Sequence, residues 1–398
     1  MWVAVLAIGA IYIISTMLTP LYPLYRQQFG ISELAVTEIY AVYVIGNLAV
    51  LFAFGRLSDQ IGRRFTTLVA FVLTAASAAC FLFASGIGGL FAARILNGFA
   101  AGLGAGALTA WIAELEPRKD KARAAVIASA GNLGGLAVGA LVAGPLAQYG
   151  PWPLRLTFAI YMALLCVLGF NIRRVRETIM KPVRAFRALS LRPRIGVPRG
   201  IRLAFTAPAC MAFTAFALGG FYAAVVPGML GERLHESNVA VAGAVVGVFF
   251  GVACLTASLT RRIQGRTAML SAAAFVLIGL SLLIAAEDES SMTLLLCASV
   301  VAGSAMACGY RGSLQIVNEI APNDKRAEVI STFLLVCYTA NSLPVLGVGV
   351  LSTLVGASVA HLSFAVAIAV VAVAATVIGV RFIPGGRRLN LSIHRPAP

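Results

Sequence analysis

Gly55-Arg56-Leu57-Ser58-Asp59-Gln60-Ile61-Gly62-Arg63-Arg64 is a short charged stretch set between two apolar runs, 36–57 and 65–85. Each run is about as long as the roughly 20 residues a helix needs to cross the hydrocarbon core of a bilayer. Both runs are apolar on every side, unlike the alternating strands of a membrane barrel. The decapeptide therefore reads as a tight loop at a membrane surface. Gly55 and Gly62 let the chain turn, and Asp59, Arg63 and Arg64 stand ready to pair with nearby charges or helix ends.

Working outward, the same alternation of long apolar run and short polar loop fills the chain. Twelve spans are predicted, at 2–22, 36–57, 65–85, 87–112, 124–147, 154–172, 203–226, 238–260, 267–286, 291–317, 328–352 and 356–381. With 60% of its 398 residues hydrophobic and 12% charged, the chain has far too little polar surface for a water-soluble core of that size. The expected fold is an all-α integral membrane protein of twelve transmembrane helices. Its seven cysteines lie singly in apolar runs with no metal-ligand or C-x-x-C spacing, so they read as packing residues. No cofactor and no metal is implied.

The net charge of +16 would suit nucleic acid in a soluble protein, but here the charges alternate by loop. Twenty-six of the 31 Lys and Arg fall in the loops after even-numbered spans and in the tail. Glu33, Glu38, Glu232, Glu236, Glu287, Asp288 and Glu289 fall on the other side. By the positive-inside rule both termini are cytoplasmic, and the basic excess faces anionic lipid heads rather than nucleic acid.

The longest polar stretch, 172–202, carries ten Arg or Lys, one acid and three prolines. It divides the chain into six-span halves at 1–171 and 203–383, with a tail at 384–398. Within it Lys181, Arg184 and Arg187 recur at helical spacing, which reads either as a short helix on the lipid surface or as a solvated linker. The halves repeat at an offset of 203 to 205: Glu114-Leu115-Glu116-Pro117 is echoed by Glu319-Ile320-Ala321-Pro322, and Leu57-Ser58-Asp59-Gln60-Ile61 by Leu259-Thr260-Arg261-Arg262-Ile263. Two such pseudo-repeated halves around a midplane site can rock open to either side.

The decapeptide resembles the G-x-L-x-D-x-x-G-R-[KR] loop signature of the major facilitator superfamily, matching at every defining position. That resemblance implies a conformational switch made of Gly55, Asp59, Gly62, Arg63, Arg64 and Glu114, with Asp59 at the N-terminus of the eleventh helix and Arg63 reaching Glu114. Arg94-Ile95-Leu96-Asn97-Gly98 is similar to the family's R-x-x-[QN]-G element, which implies a part for Arg94 and Asn97 in proton transfer. An arginine that deep in a span faces either protein and water or, by snorkelling, the outer interface. Gly135, Gly139 and Gly144-Pro145 in span five resemble the glycine-rich motif of the drug-exporting branch, although Leu146-Ala147-Gln148 replaces the glycines that usually follow. Close helix packing explains the same spacing.

The substrate or proton pathway is expected among Glu38, Tyr43, Asn47, Arg94, Asn97, Arg311, Gln315 and Asn341. Tyr12, Tyr40, Asn132, Tyr310, Tyr338 and His361 are further polar residues within spans. Arg94 and Arg311, with no acid in the first span, make a net positive cavity the expectation, with Glu319 partly neutralising Arg311 or Arg311 snorkelling to the inner leaflet.

These readings imply a secondary transporter of the bacterial inner membrane, working as a monomer. Proton-coupled export of small neutral or anionic organic molecules is the leading expectation. Uptake, facilitated passage and non-transporting sensing are the alternatives. No H-E-x-x-H, G-x-S-x-G or P-loop pattern suggests an enzyme.

Overall fold

The computed structural model describes residues 1–54, 57–179 and 195–382, without the side chains of residues 121 and 122. Gly55, the 181–187 cation spacing and the tail therefore lie outside the described residues. The regular structure is helical throughout among those described: α1 Trp2–Met17, α2 Tyr22–Phe29, α3 Glu33–Ala53, α4 Leu57–Ile61, α5 Arg63–Leu82, α6 Ile87–Leu115, α7 Lys121–Tyr149 and α8 Leu156–Ile172 make the first half. The second half comprises α9 Arg202–Ala224, α10 Val226–Arg233, α11 Val239–Leu259, α12 Gly265–Asp288, α13 Met292–Ile320, α14 Arg326–Val355 and α15 Ala357–Phe382. Eleven helical stretches are long and apolar enough to cross a membrane, and α8, at 17 residues, is the shorter apolar helix in the place of span six. Large apolar side chains such as Val72, Phe83, Leu259 and Leu354 remain exposed on the outside of the bundle, as contact with lipid requires.

The repeat is visible in the helix boundaries. α6 and α13 each run 29 residues, and α7 and α14 begin at the same offset from them. The capping residues correspond too: Ser32 accepts from Ala35 N–H ahead of α3 and Asn238 from Ala240 N–H ahead of α11, satisfying donors at helix starts that would otherwise be unpaired.

The first helix of each half is longer than its hydropathy indicates. Proline at the start of a helix costs no hydrogen bond and pre-sets its backbone angle. Pro23 thus opens α2, and Pro227 opens α10. Arg26, Glu232 and Arg233, expected in loops, are on these added turns instead. Likewise Glu287, expected just past span nine, lies in the final turn of α12.

Within the first half, α7 meets α1 through glycines. A methyl group at Gly135 would stand 2.3 Å from the Gly9 carbonyl oxygen, and one at Gly139 would stand 2.2 Å from that of Ile13. Gly144 faces the other way, 3.2 Å from Gly243 Cα of α11 by the same measure. One glycine-rich helix therefore packs its own half on one side and the opposite half on the other.

Candidate functional site

The two halves meet along two seams, α7 against α11 and α3 against α14. The first seam runs from Gln148, which accepts from Val239 N–H at 2.9 Å, to Cys254 Sγ against the Ala130 carbonyl at 3.6 Å. The second is closed toward the acidic face, where Thr37 fills the space beside Gly349, and at its middle, where the Tyr40 hydroxyl donates to Asn341 Oδ1 at 3.2 Å. Above both, α2 and α10 touch, and Arg26 bonds Glu232 across the halves at 2.6 Å.

Where the seams converge, α1, α3, α13 and α14 bring Tyr12, Tyr43, Tyr310 and Tyr338 together. Tyr338 interacts with the other three and Tyr12 with Tyr43 and Tyr310. Asn132 of α7 interacts with Tyr12. Phe216 sets its edge on Tyr310 with ring centres 5.1 Å apart, and Phe333 stacks on it at 6.1 Å. Asn341 and Met306 border the same region beside Gly219. Tyr310, Tyr338, Asn132 and Asn341 keep partial exposure. Phenols, amides and ring faces line this point, and none of these residues is an acid or a base.

The predicted pathway residues divide around this point. Tyr43 and Asn341 belong to it. Asn47 is 1% exposed, and neither atom of its amide makes a hydrogen bond of good geometry, although Tyr43 interacts with it. Asn97 is wholly buried and accepts from Ser15 Oγ at 3.3 Å. Glu38 is exposed at the acidic face, away from the centre.

Neither arginine makes the centre an open cationic cavity, which corrects the expectation. Arg94 is 1% exposed; it donates to the Ser15 carbonyl at 3.0 Å and to the Tyr22 hydroxyl at 2.5 Å, with the Tyr40 ring centre 5.3 Å from its guanidinium. It fastens the break between α1 and α2 to α6. A carbonyl, a hydroxyl and aromatic faces partly replace water around the charge. Arg311 instead turns toward the basic face, where Nη1 and Nη2 both reach the Ile263 carbonyl at 3.2 Å. Glu319 does not neutralise it, being held by Gln315 at 3.0 Å.

At the basic face the loop signature forms a compact ionic knot. Arg63, 7% exposed, bonds Glu114 at 2.9 Å, Asp59 at 2.5 Å and Ser58 Oγ at 2.7 Å. Thr178 also donates to Glu114. Asp59 has Arg63 as its ion-pair partner among the described residues, and its side chain is 58% exposed, so it does not rest on the start of α14, the eleventh span, in this conformation. Arg64 bonds the Arg173 carbonyl at 3.2 Å.

The residue that sequence reasoning missed is Glu177. Its two carboxylate oxygens each accept a main-chain N–H at the start of α5, from Arg63 and Arg64, both at 3.0 Å. An anion is favoured at that end of a helix by its unpaired donors and dipole. Gly62 makes room for it: its φ is +108°, and a Cβ there would stand 2.7 Å from Glu177 Oε2. The signal was present as the one acid among the ten cations of 172–202. Nothing in its spacing, however, says which helix start it serves.

A model of the Major Facilitator Superfamily matches residues 4–345. The chain belongs to the Major Facilitator Superfamily. Its members are membrane transporters. A comparison with curated proteins returns no match.

Proposed function

We propose that the chain is a secondary active transporter that exports small, uncharged, aromatic or hydroxyl-bearing organic molecules by alternating access, using protons. The observation that carries this reading is the tyrosine and asparagine cluster where four helices of both halves converge. Ring faces offer large apolar contact area, while phenols and amides supply a few oriented hydrogen bonds.

Charge selectivity follows from magnitudes. Tyrosine faces attract a cation by about 0.5–2 kcal/mol. Leaving an ion without a countercharge in a low-dielectric site costs several kcal/mol. Arg94 interacts with Tyr40 and Tyr43 and opposes a positive substrate further. Neutral molecules are therefore preferred, anions tolerated and lipophilic cations rejected.

The joined acidic-face seams and the exposure of Asp59 support a conformation open toward the basic face, the predicted cytoplasmic side. In the alternate state the Arg26–Glu232 bridge separates and Asp59 finds a partner across the halves. Export is favoured over uptake by the glycine-rich α7, the resemblance to the exporting branch. The test is counterflow in proteoliposomes with matched neutral, anionic and permanently cationic aromatic compounds, followed by imposed proton gradients of either sign. Counterflow of the neutral compound alone, accelerated by a gradient that drives protons opposite to it, supports the proposal. Absence of any counterflow would make the chain a sensor, and preference for the cation would overturn the substrate class.

A further inference from the structure

A second polar cluster lies apart from the tyrosines, near the acidic face. Glu287 is 4% exposed; its Oε1 accepts from Arg233 Nε at 3.0 Å and from Ser358 Oγ at 3.2 Å, and its Oε2 lies 2.8 Å from His361 Nδ1. Arg233 also bonds Ser358. His361, 2% exposed, has the Phe221 ring edge-on with centres 5.4 Å apart. An ionised carboxylate only accepts, so Nδ1 carries the hydrogen and the neutral ring keeps its lone pair on Nε2. That Nε2 is buried without a hydrogen-bond partner. A bare basic nitrogen on a ring oriented by a carboxylate is the arrangement that accepts a proton and stabilises the resulting imidazolium.

We infer that His361 is a proton-binding site and that its protonation loosens closure of the acidic-face mouth. The mechanical link is α10. Arg233 anchors that helix to Glu287 and Ser358, and the adjacent Glu232 makes the bridge to Arg26 of the other half. A proton on Nε2 creates a charged donor with no acceptor in the closed packing, which is costly until water or an acceptor reaches it. Opening the mouth supplies that water. The charged groups facing the cluster are Glu287 of α12, Arg233 and Glu232 of α10 and, across the seam, Glu33 of α3, which interacts with His361, Glu232, Arg26 and Glu287. Glu33 attracts the imidazolium and so favours closure. It is partly exposed and makes no ion pair among the described residues, so solvent and salt weaken that pull relative to the orphaned donor.

The inference gives a residue to the proton coupling proposed above and rests on that reading for the use of the proton, but its test needs no substrate. Spin labels at Gln28→Cys and Ser237→Cys, both exposed on opposite sides of the seam, report the mouth in a background with the seven native cysteines replaced. Distances are measured by pulsed electron resonance between about pH 5 and 8, where an imidazole changes charge. The expected result is a shift to longer distances on acidification. His361→Asn, whose amide keeps a donor toward Glu287 but has no Nε2, should hold the short distance throughout, and Glu33→Gln should keep the shift. In Glu287→Gln the transition should be displaced, because the carboxylate that orients the ring is gone. A pH-independent mouth in the parent, a shift that survives His361→Asn, a transition unmoved by Glu287→Gln or one abolished by Glu33→Gln would each overturn the assignment. Failure of counterflow with these distances still responding to pH would reject the transport reading alone.

Discussion

Replacing Glu177 by Ala should release the loop signature from the chain that leaves α8. The structure sets the size of the effect: two main-chain donors at 3.0 Å lose a charged acceptor at the start of α5. Hydrogen bonds to charged groups contribute about 1.5–3 kcal/mol each, and an anion at a helix start adds about 0.3–1 kcal/mol. Glu177 is partly exposed, so water replaces much of what is lost, leaving about 2 kcal/mol, or roughly a 30-fold change in a local opening equilibrium. Hydrogen exchange followed by mass spectrometry on peptides spanning 57–66 should therefore speed up by about that factor. Glu177→Gln, which keeps one acceptor oxygen, should show roughly half the free-energy change. Gly62→Ala should also push the carboxylate out, and because its φ of +108° strains any side chain, it should speed exchange further even on top of Glu177→Ala. Unchanged exchange in 57–66, or an equal rise in peptides from α13, would refute the local clamp.

Three other outcomes follow from the same geometry. Arg94→Met leaves the Ser15 carbonyl and the Tyr22 hydroxyl unpaired at about 1–3 kcal/mol each, so thermal melting in detergent should show a clear loss of stability, whereas Arg311→Ala, cutting only the tie to Ile263, should barely change neutral-ligand binding. Gly144→Val should force the α7–α11 seam apart and raise thiol labelling at Gly228→Cys, while Gly135→Val, clashing with Gly9 inside one half, should instead depress folded yield. Impermeant labels applied to intact cells should reach Glu289→Cys and leave Arg262→Cys protected, and the reverse pattern would invert the topology.

The spans were legible because lipid demands long runs that are apolar on every side, and Arg63 could be matched to Glu114 through a known loop pattern. Helix ends were less legible. Hydropathy falls at Arg26, Arg233 and Glu287, yet Pro23 and Pro227 restart helices there, and Glu287 is buried by partners from α10 and α15 that no local window contains. The direction of Arg94 and Arg311 was equally hidden, since a guanidinium in a span can turn to a cavity, a neighbouring carbonyl or a membrane face. The central tyrosines were visible singly. Their meeting depends on how four helices from two halves pack, and that is a tertiary fact.

Alternating access is tested most directly by asking from which face the central cluster can be reached. Asn341→Cys, in a background without the seven native cysteines, is exposed to impermeant thiol reagents on either side of oriented vesicles, with and without a bifunctional thiol cross-link installed beforehand between Arg26→Cys and Glu232→Cys. Labelling is expected from the basic face in both cases, and from the acidic face only while the cross-link is absent. Labelling from one face alone regardless of the cross-link, or from the acidic face with the cross-link in place, would contradict alternating access.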